Sequence, residues 1–568
     1  MPAPSFRPYS ITFVLLLTAC GGSTDRPPQH DEALPPSRLG QRSAAPMAAA
    51  VSITPQEASR FLAQASFGPT SQSISEAAKL GPAAWLDNQF GKPQRYHRSF
   101  VEARSTGGKA LDYYVYDSFW QQAVRGEDQL RQRMAFALSQ IFVISMLDDN
   151  VGANPRGVAS YYDMLATQAF GNFRQLLKAV ALHPMMGLYM SHLRNQKEAP
   201  GRLPDQNFAR EIMQLMSIGL YELNQDGSLK LSGGRPIETY DNEDVAGLAK
   251  VFTGWSWAGP DKAAARFYGR TAAPNRDWEP MQPYPEFHSS GSKQVLGRKI
   301  SDGNPYVELE AALDILAAHP NVGPFIGRQL IQRLVTSNPS PAYVGRVAAA
   351  FNNNGKGVRG DMKAVIRAIL LDAEARRPPS GNSGGKLREP VLRLANWMRA
   401  FNATSKSGYY QMWHLDDPVR ALGQTAMRSP TVFNFYRPAY TPPNSSIAAA
   451  GLVAPEFQIT AEPSVIGYLN YMQFAIPHGL GRDYDIRADY RNEFPLAMQP
   501  EQLVERLNLL LLNGAMSPGL RQQIVQAVNN VPVPARASQA RYISDKQYDR
   551  VHLAIYLAMS SPEYLVQK

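Results

Sequence analysis

The chain has 568 residues and a single cysteine; hydrophobic residues make up 44% of it and charged residues 19%. This composition supplies a large core and excludes a chain that is disordered throughout. One cysteine excludes an internal disulfide framework and cysteine-based zinc or iron–sulfur sites. The net charge of +10 is spread over the whole length without a basic run, so we expect no nucleic-acid partner.

The N-terminus has the pattern of an exported lipoprotein. Residues 11–19 form an apolar stretch too short to cross a bilayer, which predicts a signal peptide over residues 1–19. The four residues that end at Cys20, Leu-Thr-Ala-Cys, resemble the bacterial lipobox, in which the cysteine sulfur carries the lipid. Cys20 is therefore the predicted lipidation site, and an ordinary signal peptide with an unrelated cysteine is the alternative. Gly21 stands where an aspartate would favour the inner membrane, so the resemblance implies the outer membrane of a Gram-negative bacterium.

A flexible tether is predicted between the lipid and the folded body. Residues 20–51 carry five prolines among small and charged residues, with almost nothing to bury. Order is expected from residue 52 onward, because Thr54 and Glu57 flank Pro55 in the pattern of a helix capping box. The body is thus predicted to span residues 52–568.

Beyond the tether, apolar side chains recur at helical spacing, which predicts a mainly α fold with few short strands. Residues 258–306, rich in Gly, Pro, Asn and aromatic residues, interrupt this pattern and predict a long loop excursion. The expected division is into lobes 52–257 and 307–568 on either side of it. Helices are predicted over residues 128–146, 160–194 (with breaks at Gly171 and His183-Pro184), 307–318, 324–335, 341–352, 361–374, 386–402, 499–513, 517–530 and 545–559.

The first candidate site residues lie on one predicted helix. Asn207, Arg210, Glu211 and Gln214 stand at i, i+3, i+4 and i+7, so they form one polar stripe beside a separate apolar stripe. The stripe contains no lysine, and its groups have fixed hydrogen-bonding geometry. These features favour a partly buried network over a solvated face, and the residues leave open whether such a network is structural or catalytic.

Four further candidates lie downstream. Asp244 is one of several acidic residues at the start of a predicted helix, where they cap free amides or, alternatively, hold a hard cation. Trp255 follows the end of that helix. His288 and Lys293 fall in the excursion, where an exposed histidine would serve as a general base, as an anion contact or simply as a surface residue. The sequence contains no recognisable metal-ligating set, phosphate loop or catalytic triad, and it identifies no cofactor.

Separated blocks of the body carry a family resemblance. These blocks are Phe61–Thr70, Arg133–Phe142, His183–Gly187, Asn207–Glu211 running on to Gly219, Asp244-Val245 with Phe252–Trp255, His288 with Lys293, His319-Pro320, Lys386 with Glu389-Pro390, and Pro430–Tyr436. In this order they resemble the bacterial family called domain of unknown function 1800, from about residue 54 to the C-terminus.

The resemblance implies a helical, usually exported protein, and it implies no activity. The family's genes as a rule lie beside those of a second exported family, domain of unknown function 1501, which looks like a sulfatase or alkaline-phosphatase relative. The shared positions carried over as a site are Asn207, Arg210, Glu211, Asp244, Trp255 and His288, with no role assigned. Two departures from the family pattern matter. Gln214 replaces a second acidic residue, which weakens a paired-carboxylate mechanism, and Ser289 replaces the aspartate that often follows the histidine, which weakens a His–Asp metal or charge-relay role.

Two functions therefore remain open. The first is an envelope-anchored lipoprotein that acts as a helical scaffold or binding protein for another exported protein or a surface polymer. The alternative is an envelope enzyme, metal-assisted or acid–base and hydrolase-like. In that enzyme Glu211 would be the base or ligand, Arg210 an anion clamp and His288 a proton carrier.

Overall fold

The structure is a computed structural model, and it describes residues 52–379, 384–534 and 540–568. The predicted signal peptide, Cys20 and the tether up to residue 51 lie outside the described residues. In the described part, 24 α-helices and ten strands of two or three residues confirm the mainly α prediction. No described helix is both long enough and apolar enough to cross a membrane.

Nine helices of 4 to 21 residues form the N-terminal part of the described body. Its first helix begins as the sequence predicts, because Thr54 Oγ1 accepts the Glu57 amide at 3.2 Å and the Glu57 carboxylate accepts the Thr54 amide at 2.8 Å. The helices are α1 (Pro55–Ala65), α2 (Ser71–Gly91), α3 (His97–Ser105), α4 (Tyr113–Arg125), α5 (Gln129–Ser139), α6 (Asp149–Gly152), α7 (Pro155–Gln168), α8 (Phe173–Leu182) and α9 (Pro184–Tyr189).

Most of the remaining long helices lie in predicted segments with boundaries shifted by a few residues, whereas the 17-residue helix Glu462–His478 was not predicted. Those of the middle region are α10 (Asn207–Gln214), α11 (Asn242–Val251), α12 (Ala264–Phe267), α13 (Pro305–Ala318), α14 (Val322–Leu334), α15 (Pro341–Asn352), α16 (Met362–Leu370) and α17 (Ala373–Arg376). Those of the C-terminal region are α18 (Pro390–Ala400), α19 (Ser446–Ala449), α20 (Glu462–His478), α21 (Pro500–Leu511), α22 (Pro518–Asn529), α23 (Ala540–Ser560) and α24 (Pro562–Leu565).

The strands form five isolated antiparallel pairs. One pair lies within the 258–306 excursion and another joins the excursion to Trp255–Ser256. The sequence predicts a few short strands there. The pairs are β1 (Leu231–Ser232) with β2 (Arg235–Pro236), β3 (Trp255–Ser256) with β4 (Gln282–Pro283), β5 (Lys293–Val295) with β6 (Arg298–Ile300), β7 (Lys386–Leu387) with β10 (Val566–Gln567), and β8 (Thr404–Ser405) with β9 (Ile486–Arg487).

Two predicted helices were wrong in extent because tertiary contacts replace helical hydrogen bonds. The helix predicted over 128–146 ends at Ser139, and the amide of Met146 instead donates to the Met427 carbonyl at 2.8 Å. The helix predicted from residue 386 begins at Pro390, since residues 386–387 pair with the C-terminal strand β10. In both places a segment with helical spacing is held by a distant part of the chain.

The core is continuous from α1 to α24, because the buried apolar side chains form one cluster that runs from Ala58 to Tyr564. Within it the excursion packs closely on α11. A Cβ added to Gly247 would overlap the carbonyl oxygen of Gln294, so a glycine is required where this helix meets β5. The division into lobes 52–257 and 307–568 stays a prediction.

Candidate functional site

A buried ion network fixes the excursion to the helices around it. Glu308 on α13 lies between two residues of the excursion: its Oε2 is 2.8 Å from Nε2 of His288 and 2.5 Å from Nζ of Lys293. Its Oε1 accepts the amide of Gly303 at 2.9 Å. The three ionisable residues are at most 3% exposed. The expectation of an exposed histidine was therefore wrong, because the excursion folds back on α11 and α13 and does not extend into solvent.

Every polar atom at the centre of this network has a partner. Nδ1 of His288 lies 2.8 Å from the carbonyl oxygen of Thr253, and Lys293 also donates to the carbonyl of Ser289 at 2.6 Å. Burial opposes ionisation of Glu308, but hydrogen bonds from Lys293 and its other donors hold its pKa below the ordinary value. The network thus contains a charged carboxylate whose contacts are all internal.

Asp244 and Trp255 belong to the same region and are also engaged internally. Asp244 accepts the Asp241 amide at 3.2 Å as part of a capping box on α11, and it accepts the Leu296 amide at 2.6 Å. The indole nitrogen of Trp255 donates to the Val251 carbonyl at 3.2 Å. The structure therefore brings Asp244, Trp255, His288 and Lys293 together as the contact between α11 and the excursion.

The polar stripe of α10 forms a second group. Asn207 is exposed, whereas Arg210, Glu211 and Gln214 are half-buried. Oε2 of Glu211 is buried without a hydrogen-bond partner in the part of the chain that the structure describes. Burial raises the pKa of Glu211, and Arg210 opposes the increase. Across the described ranges, no hydrogen bond or ion pair joins this stripe to His288.

A pocket of about 370 Å³ opens at the C-terminal end of α10, a volume within the range of small-ligand sites. Its floor consists of four polar side chains that are 3–6% exposed: Gln140, Gln329, Gln332 and Arg333. The walls and mouth add Gln214 of the α10 stripe, two arginines and apolar residues: Ile141, Leu215, Leu220, Leu223, Phe325, Val432, Phe433, Arg328 and Arg437. No Asp or Glu of the described chain lines it.

The floor differs from the Glu308 network in having polar atoms without partners. Within the described residues, Nε2 of Gln329, Oε1 of Gln332 and Nε of Arg333 make no hydrogen bond. Buried polar groups are almost always paired, so unpaired groups at the base of an open pocket call for an explanation. These three atoms have almost no accessible surface, so a ligand in the open pocket does not reach them as the floor now stands.

Beneath the floor lies a second buried ionic cluster. Nζ of Lys386 is 2.9 Å from Oε1 of Glu456, and the Glu389 carboxylate accepts the side-chain amide of Gln140 at 2.5 Å. Arg133 donates to the carbonyl oxygen of Arg333 at 2.6 Å. Burial raises the pKa of Glu456, and Lys386 opposes the increase. The cluster and the floor together contain three cationic side chains and two carboxyl groups.

Sequence reasoning treated the 324–335 segment only as a helix and missed its role as the pocket floor. A signal was present: Arg328, Gln329, Gln332 and Arg333 form a polar stripe on α14, as Arg210, Glu211 and Gln214 do on α10. That α14 faces a pocket depends on the loop around Val432, which lies far away in sequence.

The described residues contain no group of three or more His, Cys, Asp and Glu side chains arranged to hold a metal ion. The described part of the chain is an α-helical body with buried ionic clusters and, beside α10, a pocket with a polar floor. Residues 60–566 match the family described as "Protein of unknown function (DUF1800)", and the chain belongs to that family. No match was found among curated proteins or among solved structures.

Proposed function

We propose that this chain is a lipid-anchored binding protein of the cell envelope, a helical scaffold for another exported protein or a surface polymer. The observation that carries the proposal is the open pocket with apolar walls beside α10. A pocket of this kind binds a ligand by burying its apolar surface, and its few polar groups set orientation and specificity.

Exposed apolar side chains on the segment that follows α10 favour a macromolecular partner. Leu220, Tyr221, Leu229 and Leu231, which lie on one short segment, are 41–58% exposed. Leu220 also lines the pocket. Apolar side chains left exposed to water are typical of interaction sites, because a partner that covers them removes the unfavourable contact with water.

The predicted N-terminus supports the envelope location. A lipid on Cys20 and a tether over residues 20–51 would hold the body near a membrane, which we place as the outer membrane of a Gram-negative bacterium. The partner proposed from the family resemblance is an exported phosphatase- or sulfatase-like protein of the domain of unknown function 1501 family.

The test is recovery of an exported partner with the tagged, full-length chain, followed by disruption at the pocket mouth. We expect a stoichiometric partner that is lost in Leu220→Glu. The matched control is Ile466→Glu, which places the same charge on another exposed apolar site, on α20. Recovery of no specific partner, or equal loss in both variants, would contradict the proposal.

The enzyme alternative keeps one supporting observation, the buried and unpaired Oε2 of Glu211 in the described chain. A carboxyl group whose pKa is raised by burial is suited to proton transfer. His288 is less suited to carry the proton, because both of its ring nitrogens face internal oxygen atoms. The enzyme hypothesis predicts that Glu211→Gln abolishes function in vivo with the melting temperature nearly unchanged; full function in that variant would exclude it.

A further inference from the structure

The surface that a ligand meets inside the pocket beside α10 is mostly apolar. The polar side chains of the floor contribute little to this surface, because each of them is at most 6% exposed. The walls consist of half-buried or exposed apolar side chains: Leu215, Leu220, Leu223, Phe325, Val432 and Phe433. Burial of apolar ligand surface is therefore the main contribution that this pocket offers to binding.

The mouth of the pocket is positively charged. Arg328 and Arg437 line the pocket and are exposed, and no described acidic residue lines it. In the described chain neither arginine pairs with a carboxylate, and the guanidinium of Arg437 lies over the ring of Phe433, 4.7 Å from its centroid. A cation beside an apolar wall attracts an anion more strongly than it does in open water, because the wall excludes solvent that screens the charge. Apolar walls and a cationic mouth together favour an anionic amphiphile.

The size of the pocket and the composition of its mouth narrow the class of amphiphile. A volume of about 370 Å³ is near the lower end of the range of small-ligand sites, which suits one acyl chain better than two. Apart from Gln214 and the two arginines, the described residues of the walls and mouth are apolar, so they offer few partners to the hydroxyl groups of a large lipid headgroup. A carboxylate needs no such partners, since a guanidinium binds both of its oxygens.

We propose that the pocket binds a single-chain fatty acid. The acyl chain packs between Leu215, Phe325 and Phe433, and the carboxylate lies at the mouth, where Arg328 and Arg437 attract it. The buried polar atoms of the floor stay beneath the chain and make no contact with it. This inference rests on the proposed function, because it names the ligand of the pocket beside which the partner is expected to bind.

The test is isothermal titration calorimetry with the full chain carrying Cys20→Ser, so that neither the predicted lipid of the chain nor a detergent competes for the pocket. Dodecanoate and dodecyltrimethylammonium, both below their micellar concentrations, have the same tail and opposite charges. We expect dodecanoate to bind at least about tenfold more tightly, because only its head complements the two arginines. From octanoate to dodecanoate, each added CH₂ should tighten binding about fourfold as it is buried.

The double variant Arg328→Gln with Arg437→Gln should weaken the binding of dodecanoate about tenfold and should not weaken that of dodecyltrimethylammonium. The matched control is Arg487→Gln, at an exposed arginine of β9, which should leave both affinities unchanged. An equal loss of dodecanoate binding in the control variant would overturn the inference.

Three further outcomes would overturn it without depending on the folding of any arginine variant: equal binding of the two amphiphiles, no gain in affinity with chain length, or no binding of dodecanoate. If the partner is still recovered and still lost in Leu220→Glu, the proposed function stands while the inference fails. If dodecanoate binds as expected and no partner is recovered, the inference stands while the proposed function fails.

Discussion

Two buried polar clusters of this molecule contrast in how completely their atoms are paired. Around Glu308 each oxygen of the carboxylate and each ring nitrogen of His288 has an internal partner. At the pocket floor, Arg333, Gln329 and Gln332 each keep an unpaired atom within the described structure. A fully paired cluster stabilises the fold, whereas each buried polar atom without a partner lowers its stability. The contrast teaches that buried charge by itself does not mark a site.

The largest expected effect comes from removing the centre of the paired cluster. Glu308→Ala should lower the free energy of unfolding by about 3–5 kcal/mol, because it leaves Lys293 buried without its carboxylate. Chemical denaturation followed by circular dichroism measures the loss. Asp314→Ala is the control on the same helix: Asp314 is largely exposed, and Arg174 keeps its second partner Glu310, so we expect a loss below about 1 kcal/mol. Equal losses in the two variants would show that the Glu308 network is not structural.

A smaller effect is expected in the pH dependence of stability, which should have opposite signs for Glu308 and for Glu456 in the cluster beneath the pocket floor. The pKa of Glu308 is lowered from 4.5, so its charge stabilises the fold above that pH and the contribution is lost as the pH falls below it. The pKa of Glu456 is raised from 4.5, so its contribution is present at low pH and declines as the pH rises through the folded-state pKa.

Melting temperatures measured between pH 3 and pH 8 check these opposite signs. Relative to the unchanged chain, Glu308→Gln should be most destabilised near neutral pH and least at acid pH. Glu456→Gln should gain relative stability as the pH rises. The same slope in both variants would contradict the assigned pKa directions.

A substitution at the pocket floor should leave the stability of the fold almost unchanged. Gln329→Leu removes a buried amide nitrogen that has no partner in the described structure, so the free energy of unfolding should change by less than about 1 kcal/mol. Thermal denaturation measures this change. A loss of several kcal/mol would mean that Gln329 belongs to a paired structural network after all.

The smallest effect is predicted for Asn207→Ala. Its side chain is exposed, and the hydrogen bond that its amide donates, to Ser191, is long at 3.4 Å. We expect the melting temperature to be unchanged within error, which corresponds to less than about 0.5 kcal/mol. A clear decrease would place Asn207 with the structural residues, beside Asp244 and Trp255.

Local signals in the sequence were sufficient for the helical class and for many helix positions. The capping box at Thr54 and the apolar spacing of α13 to α15 depend on residues a few positions apart, so the sequence alone is enough to recognise them. The polar stripe of α10 was also recognisable in the sequence, and three of its four residues are half-buried as predicted.

What the sequence by itself determined is therefore the class of fold, the excursion over 258–306 and the family to which the chain belongs. Only the tertiary structure decided that His288 is buried against Glu308, since the two residues meet through the folding of the excursion onto α13. It also decided that α14 forms a pocket floor, because the opposite wall comes from residues about 100 positions away, such as Phe433. Burial and pairing at such positions depend on which distant segments meet, and no local pattern encodes that.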